Sequence, residues 1–240
     1  RTYDSMTDQA VSSLPPIKID PCSNSVVGLR PMTQAEAVSR DEWSNAAISH
    51  SISGDWPSAE RELRKKLVLD GSIFGPDHCE TAVDHRQLAQ SLFQQNRWTE
   101  AEIEARKALD ILDQLQAEDR QTGFVLGVLA DIVTKSGQAS AGEPFLRRAV
   151  SIFEQRDGRV SQAAIDARLD LAANLYAQGR LRESEEIYRS SLASGRLIDF
   201  DNDEERSLEI QEFIAYLADR QSRNSDAVRD YEKVCARRAE

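Results

Sequence analysis

The sequence predicts an all-α solenoid of about five helical hairpins, and two observations support this prediction. One pattern recurs five times: a small or apolar pair, then a turn residue such as Gly or Asn, then a small residue a few positions later. From Thr33 onward, the apolar residues between these landmarks follow a helical spacing. The residues that close the five copies are separated by 42, 41, 42 and 43 positions: Ala59, Ala101, Gly142, Ser184 and Ala227. A fixed period of this length indicates hairpins that bury their apolar faces only by stacking.

Residues 1–32 are predicted to form an extended arm or linker before the repeats. This segment contains Pro15-Pro16, Pro21 and Pro31. Proline lacks the backbone donor and cannot occupy a helix interior, so this composition disfavours helix. Apolar residues within the arm could cover an apolar face of the repeats, and an ordered strap and a disordered arm both remain open.

The first hairpin begins at a capping box, Thr33-Gln34-Ala35-Glu36, in which the Thr and Glu side chains each satisfy a free backbone amide. Gly54 is predicted to end the first helix, because glycine readily adopts the left-handed conformation of a helix end. Asp55 then caps the second helix, and Pro57 lies in its first turn, where a missing amide costs little.

The later helices are predicted from the same signals, with starts at Thr99 and Ser140. Small residues on both helices of a hairpin let the two backbones approach closely, and larger residues such as Leu88 and Leu171 fill the groove to the next hairpin. The ten predicted helices span 33–53, 56–71, 78–96, 99–117, 119–136, 140–156, 160–178, 181–198, 203–221 and 224–239.

The chain resembles a tetratricopeptide repeat (TPR) array of the long, kinesin-light-chain-like type. The segment Phe74-Gly75-Pro76-Asp77-His78 resembles the loop between repeats of that type, and Leu88-Ala89, Asn96-Arg97-Trp98 and Glu100-Ala101 match the rest of its pattern. The resemblance implies a right-handed superhelix with a concave face that binds peptides or protein segments, and it covers residues 33–240. The repeats are placed at about 33–73, 74–117, 118–157, 158–199 and 200–240.

Composition narrows the class of partner. The chain of 240 residues has a formal net charge of −11, which disfavours nucleic acid and anionic membranes and favours basic partners. It contains no apolar run of the length that a membrane span needs. Three cysteines far apart do not form a disulfide framework. Cys235 falls at a small-apolar position and is predicted to be a core residue, and Cys22 could pair with Cys79 only in an exported protein. The sequence leaves a cytoplasmic and an exported location open.

Two acidic or histidine-rich segments resemble metal sites, but neither is predicted to bind a metal. His78, Cys79 and His85 lie close together in the sequence. His78 belongs to the inter-repeat loop and His85 to the entry of the first helix of the hairpin, so structural roles are favoured over metal binding. Asp199, Asp201 and Asp203 resemble the start of a calcium loop, but the Gly and Glu that such a loop needs are missing. No phosphate loop, nucleophile elbow or zinc-protease motif is present. We therefore expect no enzyme activity, no cofactor and no metal.

The concave face is the predicted binding surface, because the first helix of each hairpin lines it in arrays of this type. Residues offset from the packing positions are predicted to point into it: Ser44, Ile48, Arg86, Gln90, Gln94, Asp131, Lys135, Asp170, Glu212 and Tyr216. This face is polar with several acids, so a basic or amphipathic peptide or protein segment is the expected ligand.

The predicted function is a non-enzymatic scaffold for a protein partner. Two alternatives stay open: a regulatory segment of a larger enzyme, such as one preceding a caspase-like peptidase domain, and a self-assembling structural module. On the last helix, Tyr231, Val234 and Cys235 are predicted to lack a covering helix. Further chain, a partner or a second copy would supply that cover, and further chain is the preferred hypothesis.

Overall fold

The computed structural model describes residues 30–195 and 204–238, and within these ranges it contains ten α-helices and no strand. Consecutive helices pack against one another along the whole array, so five hairpins stack in chain order. The predicted all-α architecture is confirmed, and every predicted helix boundary that falls within the described residues agrees with the structure to within three residues. The helices are α1 (Gln34–Ile52), α2 (Trp56–Ile73), α3 (Cys79–Gln94), α4 (Trp98–Gln114), α5 (Arg120–Lys135), α6 (Ala139–Asp157), α7 (Gln162–Ala177), α8 (Leu181–Gly195), α9 (Glu204–Arg220) and α10 (Asn224–Arg238).

Several sequence predictions fall outside the described residues. These concern the arm at 1–29, Cys22, and the calcium-like segment at 199–203. None of the helices in the described ranges combines the length and the apolar character that crossing a membrane requires.

The five hairpin turns share one backbone geometry, in which a left-handed residue ends the first helix. This residue is Gly at three turns and Asn96 or Ser222 at the other two, with φ between 60° and 82°. The amide that follows it donates to a carbonyl in the preceding helical turn, as from Asp55 N to His50 O at 2.9 Å. The predicted left-handed helix ends are confirmed, and Asn and Ser also adopt them.

Helix starts agree with the prediction where a side chain caps the first turn. Thr33 forms the capping box with Glu36, and Asp55 accepts a hydrogen bond from the first turn of α2. The prediction that Thr99 and Ser140 start α4 and α6 is wrong, because both helices begin one residue earlier without a side-chain cap. Each second helix begins two residues after the left-handed turn residue, so the turn geometry sets its start.

Small residues lie where the two helices of a hairpin are closest, as predicted. Ala172 and Ser184 are fully buried, and Ser184 Oγ donates to Ala172 O at 2.7 Å. In the third hairpin, a methyl group added at Gly142 would lie 3.1 Å from the carbonyl oxygen of Ala130. The backbones are so close that a larger side chain would have to push the helices apart.

Three junctions between hairpins in the described part of the chain carry the same polar contact, which we call the carboxylate clasp. In each clasp, a Glu near the start of a second helix accepts hydrogen bonds from the Gln and Arg that flank the next turn. Glu60 accepts from Gln95 Nε2 at 2.9 Å and from Arg97 Nη1 at 2.6 Å. The other two clasps join Glu143 to Gln178 and Arg180, and Glu185 to Gln221 and Arg223.

The junction between the second and third hairpins has no carboxylate clasp. Glu102 occupies the clasp position, but it pairs with Arg106 on its own helix at 2.7 Å, and Gln138 replaces the clasp arginine. A charged contact at this junction lies instead near the loop between the hairpins, where Arg148 pairs with Asp113 at 2.6 Å. Near the hairpin turns, the second and third hairpins are therefore joined by packing without the clasp.

A buried charge network fixes the first hairpin on the second. Lys66 Nζ donates to Asp70 at 2.7 Å and also contacts Asp84, and both carboxylates have no exposed surface. Arg40 extends the network by bonding Asp70 at 2.8 Å and pairing with Glu80. Burial raises the pKa of Asp84 to about 7 despite the opposing effect of Lys66. The network joins α1, α2 and α3, with the two fully buried carboxylates of Asp70 and Asp84 at its centre.

The outer face of α10 matches its prediction at two of three residues. Tyr231 is 39% exposed and Cys235 is exposed, whereas Val234 is 1% exposed because it lies on the side that packs against α9. The prediction that Cys235 is a core residue is wrong. Cys235 is the residue after Val234, and this one-residue step around the helix turns its side chain outward. Leu63 and Leu146 occupy the position of Tyr231 in earlier hairpins, and both are buried.

Candidate functional site

The first helices α3, α5 and α7 lie side by side and form a groove on one face of the array. Helix α5 contacts both α3 and α7 directly, and the groove has a volume of about 210 Å³. Four residues predicted for the concave face line this groove together: Arg86, Gln90, Asp131 and Asp170. The repeat thus brings side chains from three hairpins, far apart in sequence, into one site.

The floor of the groove is apolar and has unfilled space. Phe124 is 45% exposed, and its ring contacts that of Phe153 with centroids 5.3 Å apart. Gly127 lies in the middle of α5, and a methyl group added there would meet nothing within 4 Å. Glycine inside a helix costs about 0.5–1 kcal/mol relative to alanine. No packing contact requires glycine at this position, and its backbone stays open to the groove.

Two carboxylates in the groove have no ion-pair or hydrogen-bond partner in the described part of the chain. Asp131 and Asp170 are exposed to solvent, yet protein surrounds them on several sides, and the partial loss of hydration raises the pKa of both groups. The pKa of Asp170 rises to about 7, with further contributions from the negative charges of Asp131 and Asp166. Asp166 itself pairs with Arg206 at 2.5 Å.

Arg86 places a positive charge in the same groove. Its Nε is buried without a hydrogen-bond partner, and burial lowers the pKa of its guanidinium. The guanidinium lies over the Phe124 ring, with its central carbon 5.8 Å from the ring centroid. In the described ranges Arg86 forms no ion pair, although Asp131 and Asp170 line the same groove. The groove therefore holds charges of both signs that do not neutralise one another.

A second hollow lies at the first hairpin, with a volume of about 220 Å³. Ser44, Ile48 and Gln90 line it together with Trp56, so two more predicted residues share a surface with Gln90. Ile48 is 52% exposed, which adds apolar surface beside the groove. Gln90 belongs to both hollows and connects them.

The other four predicted residues lie outside both hollows. Gln94 and Lys135 are exposed, and Lys135 acts on Asp131 through its charge. Glu212 pairs with Arg238 of α10 at 3.0 Å. The hydroxyl of Tyr216 lies 3.1 Å from the hydroxyl of Tyr176, within an aromatic cluster on α7 and α9.

The groove residues that the sequence reasoning missed include Phe124, Gly127 and Asp166. Their signal is helical spacing from predicted residues. Phe124 and Gly127 precede Asp131 by seven and four positions, and Asp166 precedes Asp170 by four. Positions four and seven apart share one face of a helix, so these residues could have been found.

Residues 165–198 match the tetratricopeptide repeat family. TPR-like repeats of a kinesin light chain from Podosopora anserina superpose with a TM-score of 0.71 at 18% identity, covering 86% of this chain and 96% of theirs. This chain has the tetratricopeptide repeat fold. The kinesin-light-chain type expected from the sequence is thus the type found among its structural neighbours.

Two further TPR comparisons extend this result. BtubC (BKLC) from P. vanneervenii has a TM-score of 0.74 at 16% identity, covering 85% of this chain and 89% of its own. YrrB, described as a TPR protein with an unusual peptide-binding site, has a TM-score of 0.54 at 17% identity, covering 84% and 91%. No curated protein sequence matches the chain. The solved structures therefore establish the fold of this TPR array.

The three residues weighed as metal ligands are directed to different partners in the TPR array. His78 Nδ1 accepts from Glu80 N at 3.2 Å, Cys79 is disulfide-bonded, and His85 Nδ1 lies 2.6 Å from Glu104 Oε2. The described ranges contain no group of three or more His, Cys, Asp or Glu side chains arranged to hold a metal ion.

We predict that the purified TPR array holds no stoichiometric zinc and that EDTA leaves its Tm unchanged. The reason is that a structural metal would contribute its binding free energy to folding. Elemental analysis and a thermal melt with and without EDTA check this. One equivalent of zinc, lost together with folded structure, would contradict it.

Asp170→Asn is expected to stabilise the TPR array more at pH 8 than at pH 5. The folded-state pKa of about 7 exceeds the ordinary value of 3.8, so the folded protein binds the proton more tightly and loses stability as pH rises from about 4 to about 7. The amide removes this loss. Because the side chain touches solvent, we expect about 1 kcal/mol at pH 8, a rise in Tm of about 2–4 °C.

The control for this prediction is Asp110→Asn, at an exposed position on α4 outside the groove. We expect it to leave the Tm the same at both pH values. Thermal melts of both variants and the parent at pH 5 and pH 8 measure the difference. Equal shifts for the two variants would show that the groove does not disfavour the Asp170 charge.

Proposed function

We propose that this TPR array is a non-enzymatic interaction module that binds a peptide or protein segment in the groove of α3, α5 and α7. The observation that supports this proposal most directly is the exposed ring of Phe124. It lies beside two carboxylates, Asp131 and Asp170, that have no partner in the described residues. These groups leave apolar surface and negative charge available to a ligand, and a bound segment would contact both.

Two further facts support binding over chemistry at this groove. Its lining contains no Ser, Thr, Cys, Lys or His side chain, so carboxylates are the only side chains of the usual nucleophile types that line it. YrrB, which shares the fold, is described by its peptide-binding site. A scaffold role is the usual use of a long concave helical surface.

The ligand is proposed to be a basic or amphipathic segment. The chain has 41 acidic against 30 basic residues, and the two unpartnered carboxylates lie beside apolar surface. A cationic side chain at Asp131 and Asp170 with an apolar side chain on Phe124 satisfies both features.

The test is binding of a synthetic amphipathic Lys/Leu peptide, with a Glu/Leu peptide of the same length for comparison. We expect the Lys/Leu peptide to bind and to weaken as salt rises, because the Debye length falls to about 8 Å at physiological ionic strength. The double variant Asp131→Lys/Asp170→Lys should weaken binding by at least about tenfold without lowering the Tm.

The matched control is Asp110→Lys/Glu186→Lys, which makes the same charge change on second helices outside the groove. It should retain at least half of the wild-type affinity. Equal loss in both double variants, or equal binding of the Glu/Leu peptide, would contradict the proposal, since only net charge would then matter.

A further inference from the structure

The groove holds a third charged group that a purely basic ligand does not satisfy. Arg86 has a buried Nε without a hydrogen-bond partner, and its guanidinium lies over the ring of Phe124. Elsewhere in the described residues, arginines such as Arg97 and Arg180 each bond two carboxylates. Arg86 is half-buried, and its buried Nε lacks a hydrogen-bond acceptor in the described residues, so a carboxylate from a ligand would supply a partner that the protein does not.

Arg86 and Asp170 lie on opposite sides of the apolar floor, and Asp131 lies on the helix between them. Arg86 belongs to α3, Asp170 belongs to α7, and Phe124 and Asp131 belong to α5 between them. A ligand that crosses the groove from α3 to α7 therefore meets the positive charge of Arg86, then Phe124 and Asp131 on α5, then the carboxylate of Asp170. This order fixes the order of charges on the ligand.

We propose that the groove recognises a peptide segment in which an acidic and a basic residue flank an apolar residue. The ligand carboxylate pairs with Arg86, the apolar side chain packs on Phe124, and the cationic side chain lies between Asp131 and Asp170. This inference rests on the proposed function and makes it more specific. It distinguishes the ligand from a uniformly basic segment, which would repel Arg86.

Gly127 supplies independent support for a ligand at this place. It lies at the centre of the groove floor, and an added methyl group would touch nothing in the protein. A helix that keeps glycine without a packing reason gives up about 0.5–1 kcal/mol. A ligand that approaches the α5 backbone explains why the space is left open.

The first experiment selects random short peptides displayed on phage against the full chain and two variants. Wild-type protein should enrich peptides that carry both an acidic and a basic residue around an apolar one. Arg86→Gln should lose the selection for the acidic residue only, and Asp131→Asn/Asp170→Asn should lose that for the basic residue only. The selected carboxylate can come from a side chain or from a peptide C-terminus, and resynthesis with an amidated end distinguishes the two.

The outcomes separate this inference from the proposed function. Enrichment of basic and apolar residues alone, unchanged by Arg86→Gln, would overturn the inference and leave the peptide-binding function standing. A wild-type selection without any enriched motif would overturn both.

The second experiment compares Gly127→Ala with Gly71→Ala, using a peptide selected in the first. Both glycines lie within helices, and an added methyl group meets nothing at either, but Gly71 is on α2 away from the groove. Both variants should raise the Tm, by about 2–4 °C. Only Gly127→Ala should weaken peptide binding, by at least about threefold, because its methyl group occupies ligand space. Unchanged affinity for Gly127→Ala would show that no ligand approaches α5 there.

Discussion

Replacing Lys66 with methionine is expected to lower the free energy of unfolding by about 3–5 kcal/mol at pH 8. Lys66 is the ammonium that compensates Asp70 and Asp84, and neither carboxylate has any exposed surface. Removing the cation leaves buried negative charge with Arg40 alone to balance it. The cost should be smaller at pH 5, because Asp84, with a pKa of about 7, then takes up a proton. Urea unfolding at the two pH values measures both effects.

The neighbouring Lys65 provides a matched control for this experiment. Its side chain is 47% exposed and pairs with Glu62 at 3.0 Å on the helix surface. Lys65→Met should change stability by less than about 1 kcal/mol. The double variant Lys66→Met/Asp84→Leu should recover part of the loss, since well-packed apolar residues can replace a buried ion pair. Equal unfolding midpoints for Lys66→Met and Lys65→Met would show that the network contributes nothing.

Ala172→Leu is expected to destabilise the array by about 1–3 kcal/mol. Ala172 is fully buried, and its carbonyl accepts a hydrogen bond from Ser184 on the facing helix at 2.7 Å. A leucine side chain must therefore displace α8 from α7 or adopt a strained rotamer. A thermal melt measures the change, which corresponds to a fall in Tm of several degrees.

The next residue, Ala173, tests the geometry with the same chemical change. It is exposed on α7, and Ala173→Leu should shift stability by no more than about 0.5 kcal/mol. A melt of Ala172→Leu that coincides with that of Ala173→Leu would show that the register of the hairpin contact is wrong.

The fold could be predicted because each repeat shows the same physical requirement. Close helix contact admits only small residues at Ala172 and Ser184, and a left-handed turn favours Gly179. These requirements recur at a fixed period. A repeat whose residues match the pattern poorly can therefore still be located by its distance from its neighbours. The starts of α4 and α6 were less predictable, because the turn backbone sets them and no side chain marks them.

The groove could be predicted only in part. Arg86, Asp131 and Asp170 were found because they follow the repeat register, and the structure gathers them at one groove. Glu212 and Tyr216 share that register but take partners within the protein, at Arg238 and Tyr176. The presence of such partners depends on distances between helices, which a repeat pattern does not contain. Helical spacing places Gly127 on the groove face. The open space beside it depends on the surrounding side chains, which the sequence pattern does not describe.

The missing carboxylate clasp has a mechanical consequence. Clasps tie the second hairpin to the first, the fourth to the third and the fifth to the fourth, whereas Glu102 ties nothing across its junction. We expect the array to bend most easily between two stiffer blocks, about the contact of α4 with α5. Arg86 lies in one block, and Asp131 and Asp170 lie in the other. The width of the groove is then governed by a single compliant joint, and a ligand that contacts both walls would set the curvature of the whole superhelix.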